Sequence, residues 1–239
     1  MRVLVVTAVP VERDAVTRAC GGAPEVREVP GAELHRAGPF DVLAGGAGPA
    51  AAAAATAFAL AAAPASQPYA AVVSAGIGGG FAPAAPVGSL VVATRIVAAD
   101  LGAETPDGFV PVTGLGFGRD TFLPPVALVR DVARATGAVP GPVLTVSTVT
   151  GSAARTAALL AAHPGAVAEA MEGFGVAEAA DRSGVPALEL RAVSNTVGPR
   201  DREAWRIGDA LAALTEAFGK TAPVVESWTR HDRLDRHRD

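Results

Sequence analysis

The sequence predicts an α/β domain built on a mostly parallel but mixed sheet. Two observations carry this expectation. Short β-branched and apolar runs alternate with stretches of helical periodicity along the chain, as strand–helix–strand crossovers require. One run, Leu90–Val97, follows its predecessor without an intervening helix, which fits an antiparallel strand and makes the sheet mixed.

The elements follow in order. Arg2–Val6 reads as a buried strand and Val11–Ala19 as an amphipathic helix. Asp41–Ala44 is strand-like, and Gly45-Gly46-Ala47-Gly48 turns from it into a helix. Pro49 suits that helix's first position, where a missing N–H costs nothing. Ala70–Ser74 is a third strand, ending in the cluster Gly76-Ile77-Gly78-Gly79-Gly80. Leu101–Phe122 is rich in Gly and Thr and poor in regular pattern; segments that long without structure are usually functional or mobile. Pro125–Thr136, Ala153–Ala162 and Glu172–Arg182 read as helices, the last ended by Gly184 and Pro186. Val143–Val149 and Ala187–Val193 read as strands. Ile207–Phe218 sets Ile207, Leu211, Leu214 and Phe218 on one helical face. The tail His231–Asp239 alternates charges without an apolar face and is expected to fray. With no repeat and no long linker, residues 1–220 are expected to form one domain and 221–239 an extension.

Composition narrows the function classes. A chain of 239 residues that is 50% hydrophobic and 18% charged is globular and not disordered. The formal charge of -4 leaves no basic footprint for nucleic acid or a membrane surface. Cys20 is the one cysteine; it cannot form an internal disulfide, and a reducing, cytoplasmic compartment is expected. The apolar N-terminal run breaks at Thr7 and meets Glu12-Arg13-Asp14, too short for a secretion signal. Ala50–Ala63 is closed by Pro64, short of the roughly 20 residues a bilayer needs.

Several motifs fail. Gly46-Ala47-Gly48-Pro49-Ala50-Ala51 matches a dinucleotide fingerprint, but that fingerprint follows the first strand of its unit, and tight strand-to-helix packing explains the glycines equally well. Gly219-Lys220-Thr221 imitates the end of a P-loop without its first glycine. Zinc-protease, paired-cysteine and serine-hydrolase motifs do not occur, and His35, His163, His231 and His237 are scattered. No metal or organic cofactor is expected.

Three positions remain at strand or helix ends, where open α/β sheets place their chemistry: Glu12, Glu172 and Asn195. Singly, each has a plainer reading. The glutamates suit the first turn of a helix, and Asn195 suits a turn. Together with their neighbours they resemble the purine nucleosidases of the nucleoside phosphorylase superfamily. The resemblance rests on Ala8 with Glu12, Ala75-Gly76-Ile77-Gly78-Gly79-Gly80 with Pro83 and Val87-Gly88, Met171-Glu172-Gly173, and Arg191-Ala192-Val193-Ser194-Asn195. It extends from Met1 to about Lys220.

That resemblance implies a three-layer α/β/α sandwich that splits an N-glycosidic bond. Glu12 matches the carboxylate that activates water. Glu172 matches the group that accepts from the ribose hydroxyls and stabilises an oxocarbenium-like sugar. Met171 lies beneath the sugar, and Asn195 faces the purine. Ala75, Gly76, Ile77, Gly78, Ser194 and Phe174 are expected to line the substrate site. Adenine-specific members carry Asp where this chain has Asn195. A protonated Asp donates to one atom of the adenine edge and accepts from another, whereas an amide NH2 suits the two acceptors of a 6-oxopurine. A hypoxanthine-type base is therefore expected.

The superfamily also contains phosphorylases. A carboxylate at the attacking position repels phosphate, by about 1 kcal/mol at 4 Å in water and more at lower dielectric, so water is the expected nucleophile. The segment Val197-Gly198-Pro199-Arg200-Asp201-Arg202-Glu203-Ala204-Trp205 resembles the branch that hydrolyses futalosine in menaquinone synthesis. Its substrate carries a 5′ benzoate, which Arg200 or Arg202 could hold and Trp205 or Phe174 could pack against. The plainer reading of this segment is a solvated charge cluster. Phe109 to Phe122 could equally line that pocket from a second subunit, since this family forms dimers. The competing readings are an inosine-type purine nucleoside phosphorylase, a non-catalytic nucleoside-binding protein and, more distantly, a nicotinamide-dependent oxidoreductase.

Overall fold

The computed structural model describes residues 2–235. In chain order the elements are β1 (Arg2–Thr7), α1 (Pro10–Arg18), β2 (Glu25–Val29), β3 (Ala32–Ala37), β4 (Phe40–Ala44), α2 (Pro49–Ala61), β5 (Tyr69–Gly80), β6 (Leu90–Ala98), β7 (Gly102–Thr105), β8 (Gly108–Pro111), β9 (Thr121–Phe122), α3 (Val126–Thr136), β10 (Val139–Thr145), α4 (Ala153–Ala162), β11 (Ala168–Ala170), α5 (Gly173–Arg182), β12 (Ala187–Thr196) and α6 (Ile207–Asp235). The main sheet runs β11-β10-β6-β12-β5-β1-β4-β3-β2, with β9 against β6. It is mixed as expected: β1, β4, β5 and β12 are mutually parallel neighbours, while β12 meets β6 antiparallel.

Alternation along each strand creates the layers, because successive side chains point to opposite faces. Val3 and Val5 of β1 pack with α1, α3 and α6 through Val16, Val132 and Leu214. Leu4 and Val6 pack with α2 and α5 through Ala52 and Val176. The result is the three-layer sandwich the resemblance implies.

The structure departs from the sequence reading in several elements, among them the short strand β11, which lies where no element was expected. β2 and β3 form an edge hairpin that was read as no element; β2 is almost wholly exposed, so no apolar face marks it. β5 continues through the glycine cluster to Gly80, because β12 and β11 pair along its end. The latter pairing closes β5, β12, β6, β10 and β11 into a ring. β10 starts and ends earlier than Val143–Val149; it absorbs Pro140 and Pro142 with a register shift beside Pro142. The irregular Leu101–Phe122 segment contains the hairpin β7–β8. α6 passes Phe218 and Pro223 and reaches Asp235, with Thr221 and Val225 buried, so position 220 falls inside a helix. Of the tail expected to fray, the backbone is helical to Asp235 and residues 236–239 lie outside the described residues.

Candidate active site

The carboxyl ends of β1, β4, β5 and β12 converge, and a cavity of about 250 Å³ opens there, where open α/β sheets bind ligands. Glu12, Ile77, Gly78, Met171, Glu172, Ser194 and Asn195 all line it. Of the other expected residues, Ala75 and Gly76 are buried beneath it in β5. Arg200 borders an adjoining cavity of about 240 Å³. The two cavities share Val149, Thr150, Asn195 and Trp205. Phe174 borders neither: its ring packs on Phe122, centroids 5.1 Å apart. Helical rotation turns it away from the neighbouring Glu172.

Glu12 is held from both sides. It sits in the first turn of α1, and its Oε2 accepts the backbone N–H groups of Ala8 (3.0 Å) and Val9 (3.3 Å), so it caps its own helix. Its Oε1 accepts the N–H of Ile77 at 2.8 Å. Burial raises its pKa, with the nearby charge of Glu172 adding to this; the Ile77 and Val9 N–H groups and the Arg191 charge oppose it. A base with raised proton affinity suits proton removal from water near neutral pH.

Gly76 makes this approach possible. A Cβ there would lie 2.6 Å from Oε1 of Glu12 and 2.9 Å from Nη1 of Arg191.

Glu172 stands at the start of α5, 5% exposed. Its Oε1 accepts the N–H of Gly48 at 3.2 Å and its Oε2 that of Met171 at 3.3 Å. Gly48 belongs to the glycine turn that resembled a dinucleotide fingerprint; here it brings a backbone N–H to a carboxylate. Asn195 is oriented by its neighbours. Its Oδ1 accepts the Ser194 hydroxyl at 2.8 Å and its amide donates to the Thr196 carbonyl at 3.2 Å, leaving one amide hydrogen uncommitted.

Sequence reading missed the charges beneath the floor. Arg191 is wholly buried; it donates through Nε to Glu189 (2.9 Å) and through Nη2 to the Ser74 hydroxyl (2.8 Å). Its Nη1 lies 3.2 Å from Oε2 of Glu172, an ion pair without hydrogen-bond alignment. A signal existed: Glu189 and Arg191 interrupt the apolar strand 187–193 two positions apart, hence on one face. Two other missed residues are Glu169 and Thr150 in the cavity wall. Trp205 completes the wall towards the second cavity, with the guanidinium carbons of Arg200 and Arg202 5.5 and 5.8 Å from its ring centroid. No group of histidine, cysteine or acidic side chains suited to a metal ion occurs among the described residues.

Comparison with known proteins gives four relevant likenesses. A family profile described as the phosphorylase superfamily matches residues 2–227. A futalosine hydrolase of Streptomyces coelicolor is 68% identical over 235 residues, 98% of this chain and 100% of that protein. One of Acidothermus cellulolyticus is 46% identical over 220 residues, 90% of this chain and 88% of the other. Among solved structures, the native futalosine hydrolase of Helicobacter pylori has the same fold, with a TM-score of 0.79 at 16% identity, over 93% of this chain and 97% of that one.

Proposed function

The chain belongs to the phosphorylase superfamily and, within it, to the futalosine hydrolase family, and on that premise we propose that it hydrolyses the N-glycosidic bond of futalosine at the Glu12–Glu172 cavity. The products are hypoxanthine and dehypoxanthine futalosine, in menaquinone synthesis. The observation that carries the reading is the pair of buried carboxylates on one cavity, Glu12 and Glu172, each held by backbone N–H groups. Water forms its bond to C1′ as the bond from C1′ to the purine nitrogen breaks. The proton of the water passes to Glu12, the electron pair of the broken bond stays with the purine, and the purine takes up a proton from solvent to leave as neutral hypoxanthine. Glu172 accepts from the ribose hydroxyls, and its charge stabilises the cationic sugar. The uncommitted hydrogen of Asn195 meets the acceptor edge of the leaving base.

The adjoining cavity receives the 5′ benzoate. Trp205 supplies a face for its ring and Arg200 a cation for its carboxylate. A second copy of the chain covers the exposed apolar side chains of the 109–126 region: Phe117, Leu123 and Val126 are 68%, 76% and 83% exposed, a density uncommon on a free surface. The single cysteine is unpaired, which fits the cytoplasm; among the described residues no helix is long and apolar enough to cross a membrane.

Base release from futalosine, inosine and methylthioadenosine, each with and without phosphate, tests the proposal. Phosphate-independent release of hypoxanthine from futalosine supports it. Release from inosine only when phosphate is present overturns it in favour of a phosphorylase.

A further inference from the structure

Glu169 is a buried carboxylate in the cavity wall for which the hydrolytic step has no use. It lies in β11, 4% exposed. Its Oε1 accepts the backbone N–H of Thr150 at 2.8 Å, and its Oε2 accepts the Thr150 hydroxyl. Thr150, itself 4% exposed, borders both cavities. A hydroxyl carries one proton, and this one is committed to Glu169. What Thr150 Oγ1 has left for a ligand is lone pairs.

The opposite wall has the complementary character. Glu169 on β11 and Asn195 on β12 are both in register with Gly79 of β5, from its two sides. Residues in register on neighbouring strands project to the same face, and strands are spaced by about 4.8 Å. The two side chains therefore flank a slot roughly 10 Å across, backbone to backbone, over a residue with no side chain. A Cβ on Gly79 would lie 2.8 Å from Cγ2 of Val197 and 3.2 Å from the Asn195 amide nitrogen, so the Val197 side chain floors the slot between the two walls. One wall of the slot offers an N–H from Asn195, and the other offers acceptors only.

That arrangement matches one class of purine. Along the edge that runs from its five-membered to its six-membered ring, a 6-oxopurine shows acceptors at N7 and O6 and then a donor, N1–H. A 6-aminopurine shows an acceptor at N7, a donor on the exocyclic amine and an acceptor at N1. We propose that Thr150 and Glu169 form the acceptor half of the base-reading site: Glu169 holds the hydroxyl proton of Thr150, so that Thr150 Oγ1 accepts N1–H of a 6-oxopurine and opposes the N1 lone pair of a 6-aminopurine. Thr150 touches the base, and Glu169 is a positioning residue acting through it. The inference rests on the nucleosidase reading above and adds a second contact to the one assigned to Asn195. Two contacts of opposite polarity reject the wrong base more strongly than one, because each leaves a buried polar group unpaired.

The test compares kcat/KM for a 6-oxo and a 6-amino nucleoside with the same 5′ group, together with calorimetric affinities for free hypoxanthine and adenine. Thr150→Val keeps the side-chain volume and removes the acceptor. It should lower the oxo-to-amino ratio about tenfold, the worth of one buried hydrogen bond. Glu169→Gln frees the Thr150 proton to turn into the cavity and should move the ratio the same way. Thr150→Ser restores the hydroxyl and should restore the preference. A purely structural role would depress both substrates equally, so unchanged ratios in Thr150→Val and Glu169→Gln would overturn the proposal. If Glu169→Gln fails to fold, Thr150→Val alone decides. If the wild-type chain releases no base from either nucleoside, the hydrolase reading fails separately, and the hypoxanthine-to-adenine affinity ratio of the variants still decides the base-reading claim.

Discussion

Arg191 donates from Nε to Oε1 of Glu189 at 2.9 Å, two positions back on the same strand, and neither side chain reaches solvent. Strand pleating makes the contact possible, since residues i and i+2 share a face. Burial acts against the buried guanidinium's charge, but Glu189, Glu172 and Glu12 outweigh it and hold the arginine protonated. Burial in turn pushes the pKa of Glu189 up, partly offset by Arg191. One cation thus balances several carboxylates, and removing it leaves them uncompensated. Arg191→Met should cost about 3–5 kcal/mol at neutral pH, read from urea unfolding. The pH dependence has a definite sign. Glu12 and Glu189 have raised pKa values in the folded state, so their contribution is fully present below the ordinary value of 4.5 and is lost as pH rises through the folded values. Without Arg191 that loss deepens, so acidification should restore part of the variant's stability. A deficit that is constant across this range would refute the charge-balance account.

The sequence discloses the architecture where apolar periodicity is strong and hides it where pairing partners decide. β1 and α4 stand within a residue of their predicted bounds, because a buried strand and a helix flanked by Ser152 announce themselves. β2 carries Glu25, Arg27 and Glu28 on an exposed edge, with no burial pattern to read. Gly76–Gly80 reads as a loop in isolation and becomes strand only because β11 and β12 pair with it. The site divides in the same way. Glu12, Glu172 and Asn195 were legible as polar groups at element ends. Glu169 was not, since its partner Thr150 is 19 residues away and only the fold joins them. Phe174, expected to line the site and pack against the benzoate ring, lies against Phe122 instead, since two steps along a helix turn a side chain to the other face.

Glu12→Gln should lower kcat by about two to four orders of magnitude, the worth of a positioned base. A glutamine keeps one oxygen for the Ala8 and Val9 N–H groups but turns its amide NH2 against the Ile77 N–H, so about 1–3 kcal/mol of stability should be lost while nucleoside binding persists. The wild-type rate should rise with pH along an acidic limb displaced above the ordinary carboxylate range, because burial raises the Glu12 pKa. Glu12→Gln should lose that limb. Near-normal turnover would remove Glu12 from the mechanism and leave it a helix cap.

Gly76→Ala isolates geometry from chemistry. The added methyl would lie 2.6 Å from Oε1 of Glu12, 3.0 Å from its carboxyl carbon and 2.9 Å from Nη1 of Arg191, so the carboxylate must move off its Ile77 N–H and the guanidinium beside it must give way too. A displacement of about 1 Å at a reacting group costs on the order of 100-fold in rate. The expected outcome is a kcat loss of that size in a folded protein, with KM altered much less. Full activity would show that Glu12 need not occupy the position it holds.

Arg200→Met keeps much of the side-chain length and removes one of the two cations over Trp205, the one that borders the second cavity. It should raise KM for futalosine about tenfold, the order expected for losing one charge-assisted hydrogen bond, and leave inosine turnover unchanged, since inosine has no 5′ carboxylate. Parallel steady-state assays on the two substrates make the comparison. Equal losses on both would place Arg200 outside the 5′ pocket.

Asn195→Asp tests the donor half of the base-reading site. Oδ1 of Asn195 already accepts from Ser194, while its amide nitrogen faces the Thr196 carbonyl at 3.2 Å. An ionised carboxylate there would set an oxygen against that carbonyl, so the introduced acid is favoured in its protonated form, which has one donor and remaining acceptor capacity. Its one proton is spent on the Thr196 carbonyl, so the side chain presents only a lone pair to the base: it accepts from the exocyclic amine of a 6-aminopurine and denies a 6-oxopurine the hydrogen bond that the Asn195 amide gives. The ratio of hypoxanthine to adenine release from matched nucleosides should fall about tenfold. As pH rises and the introduced acid ionises, release of either base by the variant should fall, because the oxygen that had donated to the Thr196 carbonyl now repels it and the side chain leaves its position. If the ratio matches that of the wild type and the two pH profiles coincide, Asn195 does not read the base.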